Sequence, residues 1–323
     1  MLNLDAKQIV DCLTMDGLIH SMRASYQLPA TIPQRRVMPL AESGYEAFAL
    51  LPAWNEHLIT VKAFTYFPEN HLVAKDSLAS KILAFDRRNG EPLALLDGKV
   101  LTYWRTAAAS ALAADYLSRR DSQQLLICGT GNLAPYIAWA YAAIRPLTKV
   151  VVWGRDEQKA RRCVDAIVSG SEYQSLPVDR QYTVEVTMDI DQAVSKADIV
   201  SCVTGATSAL FPSGSVKQGT HIDLIGNHDK DKRECDSELV QRAQVYVDSK
   251  INVLAEAGDL LIPIAENVFK EEQIQGELPD LCAARNSGRR SADAITLYKS
   301  VGSALADLIA VQHVLANYSE DQH

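Results

Sequence analysis

The hydrophobic pattern changes character near residue 121. Upstream, short runs of strand-forming residues are split by turn signals: Tyr45-Glu46-Ala47-Phe48-Ala49-Leu50, Leu58-Ile59-Thr60-Val61-Lys62, Lys81-Ile82-Leu83-Ala84-Phe85 and Pro92-Leu93-Ala94-Leu95-Leu96. Arg88-Asn89-Gly90 and Asp97-Gly98 suit hairpin turns, because Gly and Asn tolerate the positive φ that such turns demand. This half predicts an α+β domain with a mostly antiparallel sheet. An Ala-rich helix over roughly 105–118 leads out of it.

From Gln123 the pattern is different. Leu125-Leu126-Ile127-Cys128, Val150-Val151-Val152-Trp153, Ile199-Val200-Ser201-Cys202-Val203 and Ile222-Asp223-Leu224-Ile225 are nearly continuous apolar runs. Without alternation, such runs suit parallel strands covered on both faces. Helical stretches near 133–143, 156–168 and 190–195 fall between them. The alternation predicts an α/β fold with a Rossmann-type, doubly wound parallel sheet. The expected partition is a first domain over 1–120, a Rossmann domain over 121–295, and a C-terminal segment, 296–323, whose helix (about 300–317) returns to the first domain.

Composition narrows the function classes. With 47% hydrophobic and 22% charged residues, the chain is globular rather than disordered. A formal net charge of −8 with no basic tail argues against nucleic acid as a partner. The six cysteines (12, 128, 163, 202, 235 and 282) show no C-x-x-C spacing, so no metal site is expected, and buried thiols in a reducing cytoplasm are. Met1-Leu2-Asn3-Leu4-Asp5 lacks the blocks of a signal peptide. The apolar stretch over 133–144 is too short to span a bilayer, so no membrane partner is expected.

The first chemical motif is Gly129-Thr130-Gly131-Asn132-Leu133-Ala134, directly after an apolar run and directly before a helix. In that context G-x-G-x-x-A is a dinucleotide turn. The first Gly permits the tight turn, the second lets a pyrophosphate approach the backbone, and Ala134 keeps the helix close to the sheet. The next strand ends Trp153-Gly154-Arg155-Asp156. An NAD enzyme usually carries a carboxylate at this strand end for the ribose 2′-hydroxyl. Here Gly154 leaves room for a 2′-phosphate and Arg155 can bind it, which favours NADPH over NADH. Asp156 is an offsetting feature or the cap of the next helix.

Several further stretches, in order and spacing, resemble the ornithine cyclodeaminase/mu-crystallin family. They are Pro33-Gln34-Arg35, Val61-Lys62 with Phe67-Pro68-Glu69-Asn70, Asp97-Gly98, and Thr102-Tyr103-Trp104-Arg105-Thr106-Ala107-Ala108. The Gly129 turn, Glu256-Ala257-Gly258-Asp259 and Lys299-Ser300-Val301-Gly302 complete the set. The resemblance implies a substrate-binding and dimerisation domain joined to a Rossmann domain, in a homodimer. It implies amino- or imino-acid substrates whose carboxylate is held by Arg35, Lys62 and Arg105. Thr204, Ser300 and Gly302 complete the expected cofactor contacts. This chain departs from relatives at Leu78-Ala79 and Lys81, where many carry His-Gln followed by Thr. Lys81 is either an added cation or an outward strand residue. It departs again at Ile225-Gly226-Asn227-His228, since cyclodeaminases have a catalytic aspartate where His228 stands, with Asp229 one place on.

The function implied is NADPH-dependent reduction of a cyclic ketimine carboxylate, 1-pyrroline-2-carboxylate to proline or its six-membered homologue to pipecolate. The imine nitrogen needs a proton, which Lys62, His228 or water can hold. Ornithine cyclodeamination, reductive amination of a 2-keto acid as by an alanine dehydrogenase, and non-enzymatic NADPH-dependent binding are the rivals.

Overall fold

The chain is described from a computed structural model, which covers residues 1–40, 46–73 and 75–319. Tyr45, which the pattern assigns to a strand, and the last four residues of the C-terminal segment lie outside the described residues. The chain separates into two compact units: residues 1–106 with 302–323, and residues 107–301.

In the first unit, the alternating runs become β1 (Leu2–Leu4), β2 (Arg36–Pro39), β3 (Ala47–Trp54), β4 (Leu58–Tyr66), β5 (Leu78–Asp86) and β6 (Pro92–Asp97). Among the described residues they pair in the order β1-β6-β5-β4-β3-β2, antiparallel throughout except for β1 on β6. Period-two alternation puts Ala49, Leu51 and Ala53 of β3, and Leu58, Thr60 and Lys62 of β4, on the buried face. The final helix, Ala304–Asn317, packs over β3 and β4 and is buried along most of its length.

Arg88-Asn89-Gly90 forms the expected hairpin turn between β5 and β6, with Gly90 at φ 77°. Asp97-Gly98 does not. Asp97 Oδ1 accepts the amides of Lys99 and Val100 at 3.0 and 3.1 Å, so it caps the helix Gly98–Leu117. That helix starts almost two turns before the predicted 105, because the side chain of Asp97 satisfies amides that a hairpin would have used otherwise. It runs on from the first unit into the second.

The second unit contains β7 (Gln124–Cys128), β8 (Lys149–Trp153), β9 (Thr183–Thr187), β10 (Ile199–Cys202), β11 (His221–Leu224), β12 (Gln244–Val247), β13 (Gly276–Glu277) and β14 (Thr296–Lys299). The order is β13-β12-β14-β11-β10-β7-β8-β9, every pair parallel. The doubly wound sheet predicted from the apolar runs is therefore present. Strand order reverses between β7 and β10, the point at which such sheets leave a ligand crevice. β10, β11 and β14 are buried at every position, which is why their sequence shows no alternation.

Candidate active site

The expected carboxylate-binding residues come together in the first unit. Lys62 lies on the core face of β4, 3% exposed, where an apolar residue would be the rule. Thr102 and Arg105, three residues apart, share one face of the helix Gly98–Leu117. Lys62 Nζ donates to Thr102 Oγ1 at 2.6 Å, and Thr102 in turn donates to the Gly98 carbonyl. Arg35 Nη2 donates to the Gly302 carbonyl at 2.7 Å. Gly302 is at φ +87°, and a Cβ there would sit 3.3 Å from both terminal nitrogens of Arg105. Gly302, expected as a cofactor contact, thus lies beside the two guanidiniums of the first unit.

The resemblance did not supply the residue that joins this cluster. Asp307, 1% exposed in the first turn of the final helix, accepts from Arg105 Nε at 2.8 Å and lies 3.5 Å from Lys62 Nζ. Its sequence signal is that it stands alone among charges in Ala304-Leu305-Ala306-Asp307-Leu308-Ile309-Ala310-Val311. A buried charge there needs a partner. Burial pushes the Lys62 ammonium down from its usual 10.5 to about 8; Asp307 opposes this, and Arg105 and Arg35 add to it. Lys81 is more than half exposed, pairs with Asp97 at 3.5 Å and is an outward strand residue.

The dinucleotide turn has the local geometry its sequence requires. Gly129 is at φ +128°, and a Cβ there would meet Val203 Cγ2 at 2.8 Å, so both conformation and space exclude a side chain. Nothing lies within 4 Å of the place a Gly131 Cβ would occupy, and Gly131 and Asn132 are exposed. Thr130 and Leu133 complete the turn, and the helix Ala134–Ile144 follows with Pro135 in its first turn. The open backbone at a helix N-terminus fits the pyrophosphate of a dinucleotide. Gly154 is needed for packing as well, since a Cβ there would lie 2.5 Å from Thr130 Cγ2. Arg155 is exposed, and Asp156 caps the next helix by accepting from Lys159 N at 3.0 Å.

The loops that leave β10 and β11 are tied together from beneath. Glu234, fully buried, accepts Thr204 N and Thr204 Oγ1 through one oxygen, both at 2.7 Å, and Gly226 N through the other at 3.0 Å. Asp259 accepts Glu234 N at 2.7 Å and pairs with buried Lys299 at 2.8 Å, and Lys299 also donates to the Asn227 carbonyl. Ser300 spends its hydroxyl proton on Asp248 at 2.8 Å. His228 is exposed at the end of this loop, and Asp229 is taken up by Lys232 at 2.9 Å and by the amide of Asp231. Glu234 carries no sequence signal, and the pairing of Asp259 with Lys299 is not readable from the two stretches that contain them, because residues 25 to 65 positions apart become neighbours only through the order of the parallel strands.

Residues 6–322 match the model of the ornithine cyclodeaminase/mu-crystallin family. The chain belongs to that family. Its relatives include a Delta(1)-pyrroline-2-carboxylate reductase of Colwellia psychrerythraea, 45% identical with 98% of this chain and 99% of that one aligned. Another is Protein SAR DEFICIENT 4 of Arabidopsis thaliana, 32% identical over 98% of this chain and 97% of the relative. Among solved members, Thermococcus litoralis Delta(1)-pyrroline-2-carboxylate reductase, in complex with NADH and L-proline, superposes with a TM-score of 0.90 at 30% identity, covering 98% of this chain and 97% of that one.

Proposed function

We propose that this chain reduces Delta(1)-pyrroline-2-carboxylate, and cyclic ketimine carboxylates like it, to the cyclic amino acid with NADPH. The observation that carries this is the cluster of half-buried Arg35 with buried Lys62 and Arg105, in which one carboxylate, Asp307, is paired to the last two. Three cations against one anion is an excess that a substrate carboxylate relieves. The 45% identical reductase supports the same substrate class.

In this reading Arg35 and Arg105 hold the substrate carboxylate and orient C2. Lys62, cationic up to about pH 8, helps bind the carboxylate and holds the proton that the imine nitrogen takes. NADPH, when bound, supplies the hydride that C2 receives. Gly129, Thr130, Gly131, Asn132, Leu133 and Ala134 would hold its pyrophosphate, and Arg155 its 2′-phosphate, with Asp156 committed to its helix cap. Thr204 and Ser300 then act as the edges of the cofactor site. The cyclodeaminase alternative is disfavoured because Asp229, the carboxylate nearest to the expected base position, is engaged in its own turn. His228 is the remaining candidate for proton exchange with solvent. Edge strand β2 carries exposed Val37 and Met38, with exposed Leu40 just beyond it, which favours a homodimer formed through that edge. In this reading the enzyme is cytoplasmic; among the described residues no helix is long and apolar enough to cross a membrane.

The test is oxidation of NADPH and of NADH by the purified protein with 1-pyrroline-2-carboxylate, with proline measured by mass spectrometry. Proline formation with a higher kcat/KM for NADPH is expected. Equal use of the two cofactors removes the role of Arg155, and ammonia release from ornithine with NAD in place of imine reduction removes the reductase reading.

A further inference from the structure

Asp307 is an expensive residue for the fold. Its Oδ1 serves Arg105 and Lys62, while Oδ2 is buried without a hydrogen-bond partner among the described residues. An unfilled buried carboxylate oxygen weakens a fold, and a well-packed apolar side chain serves a core better than a buried ion pair. The rest of the helix around it, Leu305, Ala306, Leu308 and Ile309, is apolar and packed. Stability alone therefore does not account for a carboxylate here.

We propose that Asp307 is a positioning residue for the reduction: it keeps Lys62 protonated inside the cationic cluster and fixes Arg105, so that Lys62 can deliver the proton to the imine nitrogen. This rests on the reading above that Lys62 faces the substrate. Polar side chains reach Lys62 from three segments of the chain. Asp307 comes from the final helix, Arg105 and the Thr102 hydroxyl from the helix Gly98–Leu117, and Arg35 from the segment before β2. The strand neighbours opposite Lys62 are Leu51 and Ile82, which are buried and uncharged. Asp307 is therefore the one anion among the described residues that offsets burial and two guanidiniums. With it removed, both remaining charges disfavour the ammonium. In the step itself, an Nζ–H bond of Lys62 breaks as an N–H bond forms on the imine nitrogen, and C2 takes the hydride. Lys62 is left as a neutral amine and regains its proton from water.

Two measurements on the full chain test this. The titration of Lys62 is followed by NMR of protein labelled with [ε-13C]lysine, assigned with Lys62→Arg, and kcat/KM for 1-pyrroline-2-carboxylate is followed from about pH 6 to 10. In the parent, the Lys62 midpoint and the alkaline fall in kcat/KM are expected to coincide near 8. In Asp307→Asn, both should move down by a pH unit or more. The loss in kcat/KM should then be at least about fivefold at pH 8, approach at least about tenfold at pH 10 and be slight at pH 6, whereas a merely structural loss would be equal at all pH values. Asp307→Glu should restore most of the parent profile. A Lys62 midpoint that stays put in folded Asp307→Asn overturns the proposal. So does a parent midpoint below about 7, which needs no variant to fold. A midpoint that moves while the pH-rate profile does not would keep the charge role of Asp307 and instead remove Lys62 as proton donor.

Discussion

Lys62 and Lys299 are both buried lysines with a carboxylate partner, and burial alone lowers the affinity of each for its proton. They end on opposite sides of the usual value. Around Lys299 stand two anions, Asp259 and Glu234, and its pKa is raised despite burial. Around Lys62 stand one anion and two guanidiniums, and its pKa falls to about 8. The second cluster is also closed by the backbone: Glu234 accepts two amides and a hydroxyl, and Asp259 accepts the amides of Glu234 and Cys235. In the first, Asp307 accepts from a side chain, Arg105, with Lys62 3.5 Å away; one oxygen of each aspartate lacks a hydrogen bond, but that of Asp259 faces Lys299 at 2.8 Å. One arrangement completes itself and holds loops. The other is left short of negative charge, which suits a site that a substrate must finish.

The largest effect expected from breaking this contrast is on the closed cluster. Asp259→Ala leaves Lys299 without its close carboxylate and frees two buried amides. Removing one partner of a buried pair costs roughly 3–5 kcal/mol, so a large fall in the thermal midpoint is expected. A variant as stable as the parent would show that the Lys299 cluster is not the structural one. Next comes Arg105→Ala, which should cost about 2–5 kcal/mol in kcat/KM by leaving a substrate carboxylate partly unpaired. Its cofactor affinity should stay at the parent value, and its thermal midpoint should fall less than that of Asp259→Ala. Unchanged kinetics would return Arg105 to a packing role. The smallest effect is expected outside both clusters. Arg155→Ala should weaken NADPH binding by about 1.5–3 kcal/mol, the worth of a hydrogen bond to a charged group, and leave NADH binding alone. A titration in which both cofactors weaken equally would assign Arg155 to something other than the 2′-phosphate.

The two clusters also differ in how far the sequence discloses them. The Rossmann sheet is legible because its inner strands are continuous apolar runs, and the Gly129 turn because it follows one such run directly. Arg35, Lys62 and Arg105 are legible only through the resemblance, since a cation at the end of a strand-like run is ordinarily solvated. Asp307, the buried partner of Lys62 and Arg105, lies more than 200 residues from Arg105, beyond the reach of any periodicity. Asp97-Gly98 misleads for a local reason: the same pair that opens a hairpin can cap a helix, and the choice rests on what the Asp97 side chain finds to accept. The Asp259–Lys299 pair was visible as two separate stretches of resemblance, and only the placement of β14 beside β11 and β12 shows why both are there.

The two glycines of the dinucleotide turn expose different things to natural selection. At Gly129 any side chain meets Val203 and a disfavoured backbone angle, so a change there is penalised before the protein has any work to do. At Gly131 a methyl group would meet no atom of the chain. A population screened only for soluble, folded protein would let that position drift, and one that has to grow on the product of the enzyme would hold it fixed. Variation at Gly131 set against constancy at Gly129 would therefore mark lineages in which the fold has outlived the chemistry.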